Sequence, residues 1–162
     1  IYKTIDGGVT WDINSDNFDF GSSTVSVNFV DADKGFITGN RGRMLVTSNS
    51  GETWKRYSPT YSDVEEIDMV TEEIGYMLAG NEILSTNSNG ENWTNLGLIA
   101  DDGEAYGIDF VDETHGFAIV DRKVYKTTNS GQNWVKAHIA TTISSNDLVG
   151  IRFLSQSLGL TA

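Results

Sequence analysis

Two aspartates, Asp68 and Asp109, are the residues best placed for acid–base chemistry, because they stand in matching segments, Ile-Asp-Met-Val and Ile-Asp-Phe-Val. Two carboxylates on neighbouring structural elements can share acid–base chemistry, one as the general acid and the other as the general base. The same pattern is typical of carboxylates that face a solvated channel or form hydrogen bonds between elements. The sequence leaves these interpretations open and favours the structural ones.

The sequence lacks, or has too few of, the residues that other kinds of active site need. The sequence contains no cysteine, which excludes disulfides, thiolate metal sites and a catalytic cysteine. His115 and His138 are the only histidines and lie 23 residues apart, so neither a histidine-rich metal site nor a Ser-His-Asp triad is indicated. We expect His115, in a turn beside a glycine, to face solvent. We therefore predict no catalytic residue, no metal site and no cofactor.

Acidic residues recur in pairs at one turn of successive segments. Such carboxylates could hold a weakly bound Ca²⁺, but acids exposed to solvent in a turn are the default expectation. The pairs are Asp31/Asp33, Glu72/Glu73 and Asp112/Glu113.

The overall charge restricts the possible partners. Twenty-three acidic and eleven basic residues give a net charge of −12, which repels phosphate backbones and anionic lipid surfaces. No apolar run approaches the roughly 18 residues that a spanning helix needs, so we predict no membrane insertion. We expect neither nucleic acid nor membranes as partners, and a secreted, periplasmic or cell-surface location.

All four tryptophans stand at the end of the same eight-residue segment. A glycine precedes each tryptophan by three residues, and the tryptophans are separated by 43, 39 and 41 residues. A second pattern keeps the same period, because a large apolar residue precedes a glycine by six, as Phe29 precedes Gly35. A fixed period of this length indicates one supersecondary unit per repeat. The tryptophan segments, called tryptophan hairpins below, are residues 4–11, 47–54, 86–93 and 127–134.

Each repeat reads as four short strands, A to D, without a helical pattern. Strand A is the Ile/Val-x-Phe/Met segment, strand B follows the glycine, strand C is short and apolar, and strand D begins at the tryptophan. A single such sheet could not bury both of its apolar faces, so the sheets must stack. We predict an all-β propeller with blades of four antiparallel strands. Its predicted parts are strands C and D in 1–20, complete blades in 25–60, 64–99 and 105–140, and strands A and B in 149–162.

The tryptophan hairpins resemble the Asp-box motif, which joins the third and fourth strands of a blade. In that resemblance a short side chain at the Asp position accepts hydrogen bonds from turn amides, the glycine permits a positive φ, and the tryptophan anchors the turn. Three of the four Asp positions carry Asn or Ser, so an anionic role is lost there and the motif is interpreted as structural. The motif positions are Asp6, Gly8 and Trp11; Asn49, Gly51 and Trp54; Ser88, Gly90 and Trp93; and Asn129, Gly131 and Trp134.

The whole repeat is similar to those of the bacterial-neuraminidase-repeat superfamily, and within it to photosystem II assembly and stability factor propellers. The resemblance covers nearly the whole chain and implies the fold more strongly than the function. A sialidase of this superfamily would need three converging arginines, a tyrosine nucleophile with a glutamate, and an acid/base aspartate. Arg41 and Arg122 instead occupy similar places in two B–C hairpins, and no Arg-Ile-Pro segment is present. The sequence therefore favours a non-catalytic scaffold or recognition module that binds a protein; a carbohydrate-binding or glycan-active propeller of sialidase or xyloglucanase type is the alternative.

Topology predicts where a partner would bind. The A–B turns and tryptophan hairpins should share one face, while the B–C hairpins and the D–A linkers share the other, where propellers usually bind ligands. Arginine and tyrosine are typical of protein interfaces. The candidate contacts on that second face are Arg41, Arg43, Tyr61, Asp63, Asp101, Asp102, Glu104, Tyr106 and Arg122.

The chain opens in strand C and stops in strand B, which allows two arrangements. The last two strands could complete the first blade and close a ring of four, since closure removes exposed strand edges. Four short blades make a tight ring, so we expect part of a larger ring of six to eight blades, or assembly with a second copy.

Overall fold

The computed structural model describes residues 1–13, 24–137 and 150–161, and the regular structure in these ranges is β-strand apart from one short 3-10 turn. The segments outside these ranges include the predicted boundaries at residues 20, 140, 149 and 162, and also His138. The first two strands pair as an antiparallel hairpin around the first tryptophan segment. They are β1 (Tyr2–Lys3) and β2 (Asp12–Ile13).

Three complete sheets follow, each with four antiparallel strands in chain order. This confirms the predicted all-β fold of four-stranded blades. The first blade is β3 (Thr24–Phe29), β4 (Gly35–Gly39), β5 (Met44–Thr47) and β6 (Lys55–Tyr57), with a 3-10 turn at Asn40–Gly42. The second is β7 (Val64–Met69), β8 (Gly75–Ala79), β9 (Glu82–Thr86) and β10 (Thr94–Leu98). The third is β11 (Ala105–Phe110), β12 (Gly116–Val120), β13 (Lys123–Thr127) and β14 (Val135–Lys136), and β15 (Ile151–Ser155) then pairs with β16 (Leu158–Thr161).

The fourth strand of each complete blade begins one residue after its tryptophan, at Lys55, Thr94 and Val135, and not at the tryptophan as predicted. The tryptophans belong to the turn, because each indole N–H is hydrogen-bonded to the carbonyl oxygen of the glycine three residues earlier. This bond holds the indole over its own hairpin.

The apolar core lies between blades, because the second strand of each blade is buried on both faces. One cluster joins Phe36 and Met44 of the first blade to Ile67 and Leu84 of the second. Aromatic rings continue the packing around the structure: Tyr76 stacks on Phe110 and Phe117 on Phe153, both with centroids 3.5 Å apart. The apolar faces of neighbouring blades therefore stack, as expected from the repeat.

The two ends of the chain present half-blades. Strands β1 and β2 form one two-stranded sheet and β15 and β16 another, so the described residues do not include the pairing that a closed ring of four requires. On β3, Val27 and Phe29 stand on the face that packs on the preceding blade in later repeats, and they are 61% and 47% exposed. A larger ring and assembly with a second copy remain predictions.

Candidate partner-binding face

The tryptophan hairpins are built from local hydrogen bonds to side chains. In the second hairpin the hydroxyl of Thr47 accepts from the amide of Gly51 at 2.9 Å, and Asn49 Oδ1 accepts from the amide of Thr53 at 2.9 Å. In the first, Asp6 accepts from the amide of Thr10 at 2.9 Å, and Ser88 and Asn129 accept at the same place in the others. An aspartate, asparagine or serine satisfies the same amide, so the position works without a negative charge.

In the tryptophan hairpin of each complete blade, the two residues at the tip both have the left-handed backbone conformation, with positive φ. The first is Ser50, Asn89 or Ser130, with φ near +58°, and the second is the motif glycine, with φ between +75° and +78°. Positive φ at both central residues is the geometry of the type I′ turn, for which Asn-Gly pairs are typical. The Ser-Gly and Asn-Gly pairs were therefore a local signal for the turn type.

In the first hairpin, the same hydrogen bonds stabilise the negative charge of Asp6. Hydrogen bonds from the hydroxyl and amide of Thr10 lower the pKa of Asp6 to about 2. The carboxylate is therefore ionised at neutral pH and serves as an acceptor within the turn.

The paired aspartates join neighbouring blades. Asp68 Oδ2 accepts from the amide of Phe110 at 2.6 Å, and Asp109 Oδ2 accepts from the amide of Phe153 at 2.6 Å. Strand A is the edge strand on the inner side of each blade, so the N–H groups on its open edge have no partner within the blade. They need acceptors, and a carboxylate of the preceding blade supplies one. The structure therefore shows the hydrogen bonds between elements that were one of the interpretations left open by the sequence.

Electrostatics fit the same structural role. Burial raises the pKa of Asp68 and of Glu66, whose Oε2 accepts from the amide of Ile108 at 2.9 Å. Asp109 forms an ion pair with Arg152, with 2.9 Å between Oδ1 and Nη1. Sequence reasoning missed Glu66 and Arg152, because their role depends on a blade more than 40 residues away in the chain.

The acidic A–B turns are also internally bonded. Asp31 accepts from the amides of Asp33 and Lys34, both at 2.7 Å, and Asp112 accepts from the amide of Thr114 at 2.8 Å. Within the described ranges, no three His, Cys, Asp or Glu side chains are grouped as a metal site would require.

His115 was expected to face solvent because it lies in a turn, but it is only partly exposed. Its side chain is 25% exposed, and its Nδ1 lies 3.0 Å from Asp112 Oδ1. Gln156 Nε2 donates to the other oxygen of Asp112 at 2.9 Å, which links the third blade to β15–β16. Although desolvation acts in the opposite direction, the hydrogen bonds from Thr114, His115 and Gln156 lower the pKa of Asp112.

The loops divide into two faces. On one, the amide of Ser50 donates to Asp33 O at 2.9 Å, which joins a tryptophan hairpin to an A–B turn, and Ser130 bonds to Thr114 in the same way. The other face, which we call the hairpin–linker face, consists of the B–C hairpins 40–43, 80–81 and 121–122 with the linkers 58–63 and 99–104.

Hydrogen bonds brace the hairpin–linker face from blade to blade. Asp63 accepts from the amide of Arg41 through its carboxylate at 2.8 Å, and from the amide of Gly80 through its carbonyl at 3.0 Å. In the second linker, Glu104 exchanges bonds with Asp121: its amide donates to Asp121 Oδ1 at 3.1 Å, and its carbonyl accepts at 2.7 Å. Each of these linkers is therefore hydrogen-bonded to the hairpin that follows it.

Asn81 is a further residue of this face that sequence reasoning missed. Its side chain donates to Gly103 O at 2.6 Å and accepts from the amide of Ala105 at 2.8 Å, which ties the second hairpin to the second linker. The only local signal was its place in the hairpin, equivalent to that of Arg122 in the next blade.

The predicted contact residues do not form one pocket. Arg41 and Asp63 meet at the first linker, and Tyr106 donates to Glu104 at 3.0 Å at the second. Tyr61 is 99% exposed at the tip of the first linker. Arg43 is half-buried, whereas Asp101, Asp102 and Arg122 are exposed.

No helix in the described residues has the length and apolar character needed to cross a membrane.

The chain matches a known family over most of its length. The model described as photosynthesis system II assembly factor YCF48 matches residues 13–155. No curated protein gives a significant match.

Solved structures with a similar fold include two YCF48 proteins. YCF48 bound to D1 peptide has 19% identity and a TM-score of 0.62, over 70% of this chain and 38% of that one. YCF48 from Cyanidioschyzon merolae has 13% identity and a TM-score of 0.53, over 99% of this chain and 72% of that one. An ancestral GH74 enzyme has 15% identity and a TM-score of 0.69, over 86% of this chain and 21% of that one. At these identities the likeness shows the fold, and this chain spans 38% of the length of the first structure.

Proposed function

Because the chain belongs to the photosynthesis system II assembly factor YCF48 family, we propose that it is a non-catalytic propeller module that binds a protein partner through its hairpin–linker face. A solved YCF48 structure is bound to D1 peptide, which supports a polypeptide as the class of partner. We assign a structural role to the Asp-box positions and a secreted, periplasmic or cell-surface location to the protein, as its acidity favours.

The bracing of the hairpin–linker face is the observation that carries this proposal. Asp63 and Asn81 fix the linker backbones against the hairpins, so the exposed side chains of Arg41 and Tyr61 project from a defined framework. A framework that is ordered before binding reduces the entropy lost on association. Exposed arginine and tyrosine are also the residue types that most often dominate binding energy.

Charge reversal tests this proposal. The protein with Arg41→Glu and Arg122→Glu is compared, by affinity purification from its native extract and quantitative mass spectrometry, with a matched Arg56→Glu and Lys136→Glu control on the outer strands. A partner retained by the wild type and the control, and lost from the Arg41/Arg122 variant, is the expected result. Equal retention by both variants contradicts binding through this face.

A glycan-active or carbohydrate-binding propeller is the second candidate, favoured by the similarity to the ancestral GH74 enzyme. One observation speaks against this second candidate: Asp68 and Asp109 each use one carboxylate oxygen to accept a hydrogen bond from a backbone amide of the next blade. A glycan array combined with turnover assays on sialosides and β-glucans separates the candidates. Cleavage that Asp68→Asn or Asp109→Asn abolishes would replace the first proposal with the second.

A further inference from the structure

A groove runs between the first and second blades, from the first linker along the outer strands of the second blade. Its cavity volume is about 380 Å³, within the range of ligand pockets. Its lining includes Pro59 and Tyr61 of the linker, Leu84 of β9, and Trp93. Leu84 is 2% exposed and belongs to the core cluster between these blades, so the groove reaches the packed interior.

Glu82 is the charged residue of this groove. It is half-buried at the start of β9, and no lysine or arginine is among the described residues that line the cavity. Across the described ranges, no hydrogen bond or ion pair involves its carboxylate. A half-buried carboxylate without a cation beside it favours a cationic ligand.

The acid is particular to this blade. The equivalent position is Lys123 in the third blade, because Glu82 and Lys123 are the residues that pair with the last residue of the preceding strand. In the first blade it is Arg43, whose carbonyl accepts from the amide of Gly39 at 2.9 Å. The repeat pattern does not require a carboxylate here, so blade construction does not account for it.

Two aromatic side chains accompany the carboxylate. Tyr61 is 99% exposed, and the indole of Trp93 is fixed by its bond to Gly90 O at 2.9 Å. Aromatic faces attract ammonium and guanidinium groups, more strongly when those groups lose water.

We propose that this groove binds a lysine or arginine side chain of an extended, basic segment of the partner protein, with Glu82 as the charge partner and Tyr61 and Trp93 as aromatic walls. The inference rests on the proposed function, since it names the chemistry of the polypeptide that the module takes.

An array of acetylated and amidated nonapeptides tests the groove directly. The central residue is Lys, Arg, norleucine or Glu, within one common set of uncharged flanks. The Lys and Arg peptides should bind the protein about tenfold or more tightly than the norleucine peptides, as one charge-assisted hydrogen bond provides. Glu82→Gln should remove this preference, and Tyr61→Ala should weaken Lys and Arg binding about two- to fivefold.

Glu52→Gln is the matched control, because it makes the same change in net charge at an exposed position of a tryptophan hairpin on the opposite face. Full retention of the preference in this variant supports the groove. Equal loss in both variants, or a preference that survives Glu82→Gln, overturns it. Since Tyr61 is almost wholly exposed, its substitution cannot act by disturbing the core. If the array shows no preference while a partner is still lost on Arg41/Arg122 reversal, only this inference fails; failure of both experiments overturns the proposed function as well.

Discussion

Replacing the glycine of a tryptophan hairpin by alanine should have a different cost in different blades. Gly51 and Gly90 have almost the same backbone, with φ of +78° and +75°. An alanine in this left-handed conformation costs about 1–2 kcal/mol at either position. The surroundings differ, because a Cβ at Gly51 would lie 3.3 Å from its own Trp54, whereas a Cβ at Gly90 would overlap Cε1 of Phe36 in the preceding blade.

The size of the difference follows from how well Phe36 can move. Its ring is 0% exposed and belongs to the cluster between the first two blades. Extra volume in a packed core costs about 1–3 kcal/mol. We therefore expect Gly51→Ala to lower the free energy of unfolding by about 1–2 kcal/mol and Gly90→Ala by about 2–5 kcal/mol.

Urea denaturation of both variants measures this difference, since the transition midpoint reports stability when its slope is unchanged. A Phe36→Leu background provides the control: with room made beside residue 90, the cost of Gly90→Ala should fall to about that of Gly51→Ala. Equal costs for the two glycines in the wild-type background, or no rescue by Phe36→Leu, would refute the reasoning that the hairpin of one blade packs on the core of the one before it.

Three further predictions concern other hydrogen bonds and ion pairs of the blades and can also be measured by denaturation. Thr47→Val should lower the free energy of unfolding by about 1–3 kcal/mol, because it leaves the buried amide of the hairpin glycine without its acceptor; an unchanged midpoint would contradict this. Arg152→Leu should cost about 1–3 kcal/mol, since it removes the cation beside the buried Asp109, although Arg152 itself is largely exposed; a neutral effect would show that the pair contributes nothing. Burial raises the pKa of Asp68 above its ordinary value of 3.8, so the folded state binds this proton more tightly than the unfolded chain. The contribution of Asp68 to the free energy of unfolding therefore falls as the pH rises from 3.8 through the raised pKa. The stability of Asp68→Asn relative to the wild type should therefore increase between pH 4 and pH 7, and a difference that is constant with pH would contradict the assignment.

Local patterns in the sequence were sufficient for the elements of the fold. The spacing from Gly51 to Trp54 and the Ser-Gly pair predict a tight hairpin, and Phe29 six residues before Gly35 predicts the pairing of strands A and B. These are interactions within one repeat, and four copies of the pattern make them recognisable.

Contacts between repeats could not be predicted in the same way. The bond from Phe110 to Asp68 spans 42 residues, and the bond of Asn81 to Gly103 depends on how two loops approach each other. The sequence identified Asp68 as either catalytic or structural, because only the position of the next blade decides which groups its oxygens meet. The groove containing Glu82 arises from the packing of two blades, and no local pattern marks it.

The central claim is that a protein partner binds the hairpin–linker face, and site-specific photo-cross-linking tests it most directly. A photoreactive benzoylphenylalanine replaces Tyr61 on that face, or Glu52 on the opposite one, and the protein is irradiated in its native cells. The account predicts a discrete protein adduct at position 61 and none at position 52. Adducts at position 52 alone, or equal adducts at both positions, would contradict it.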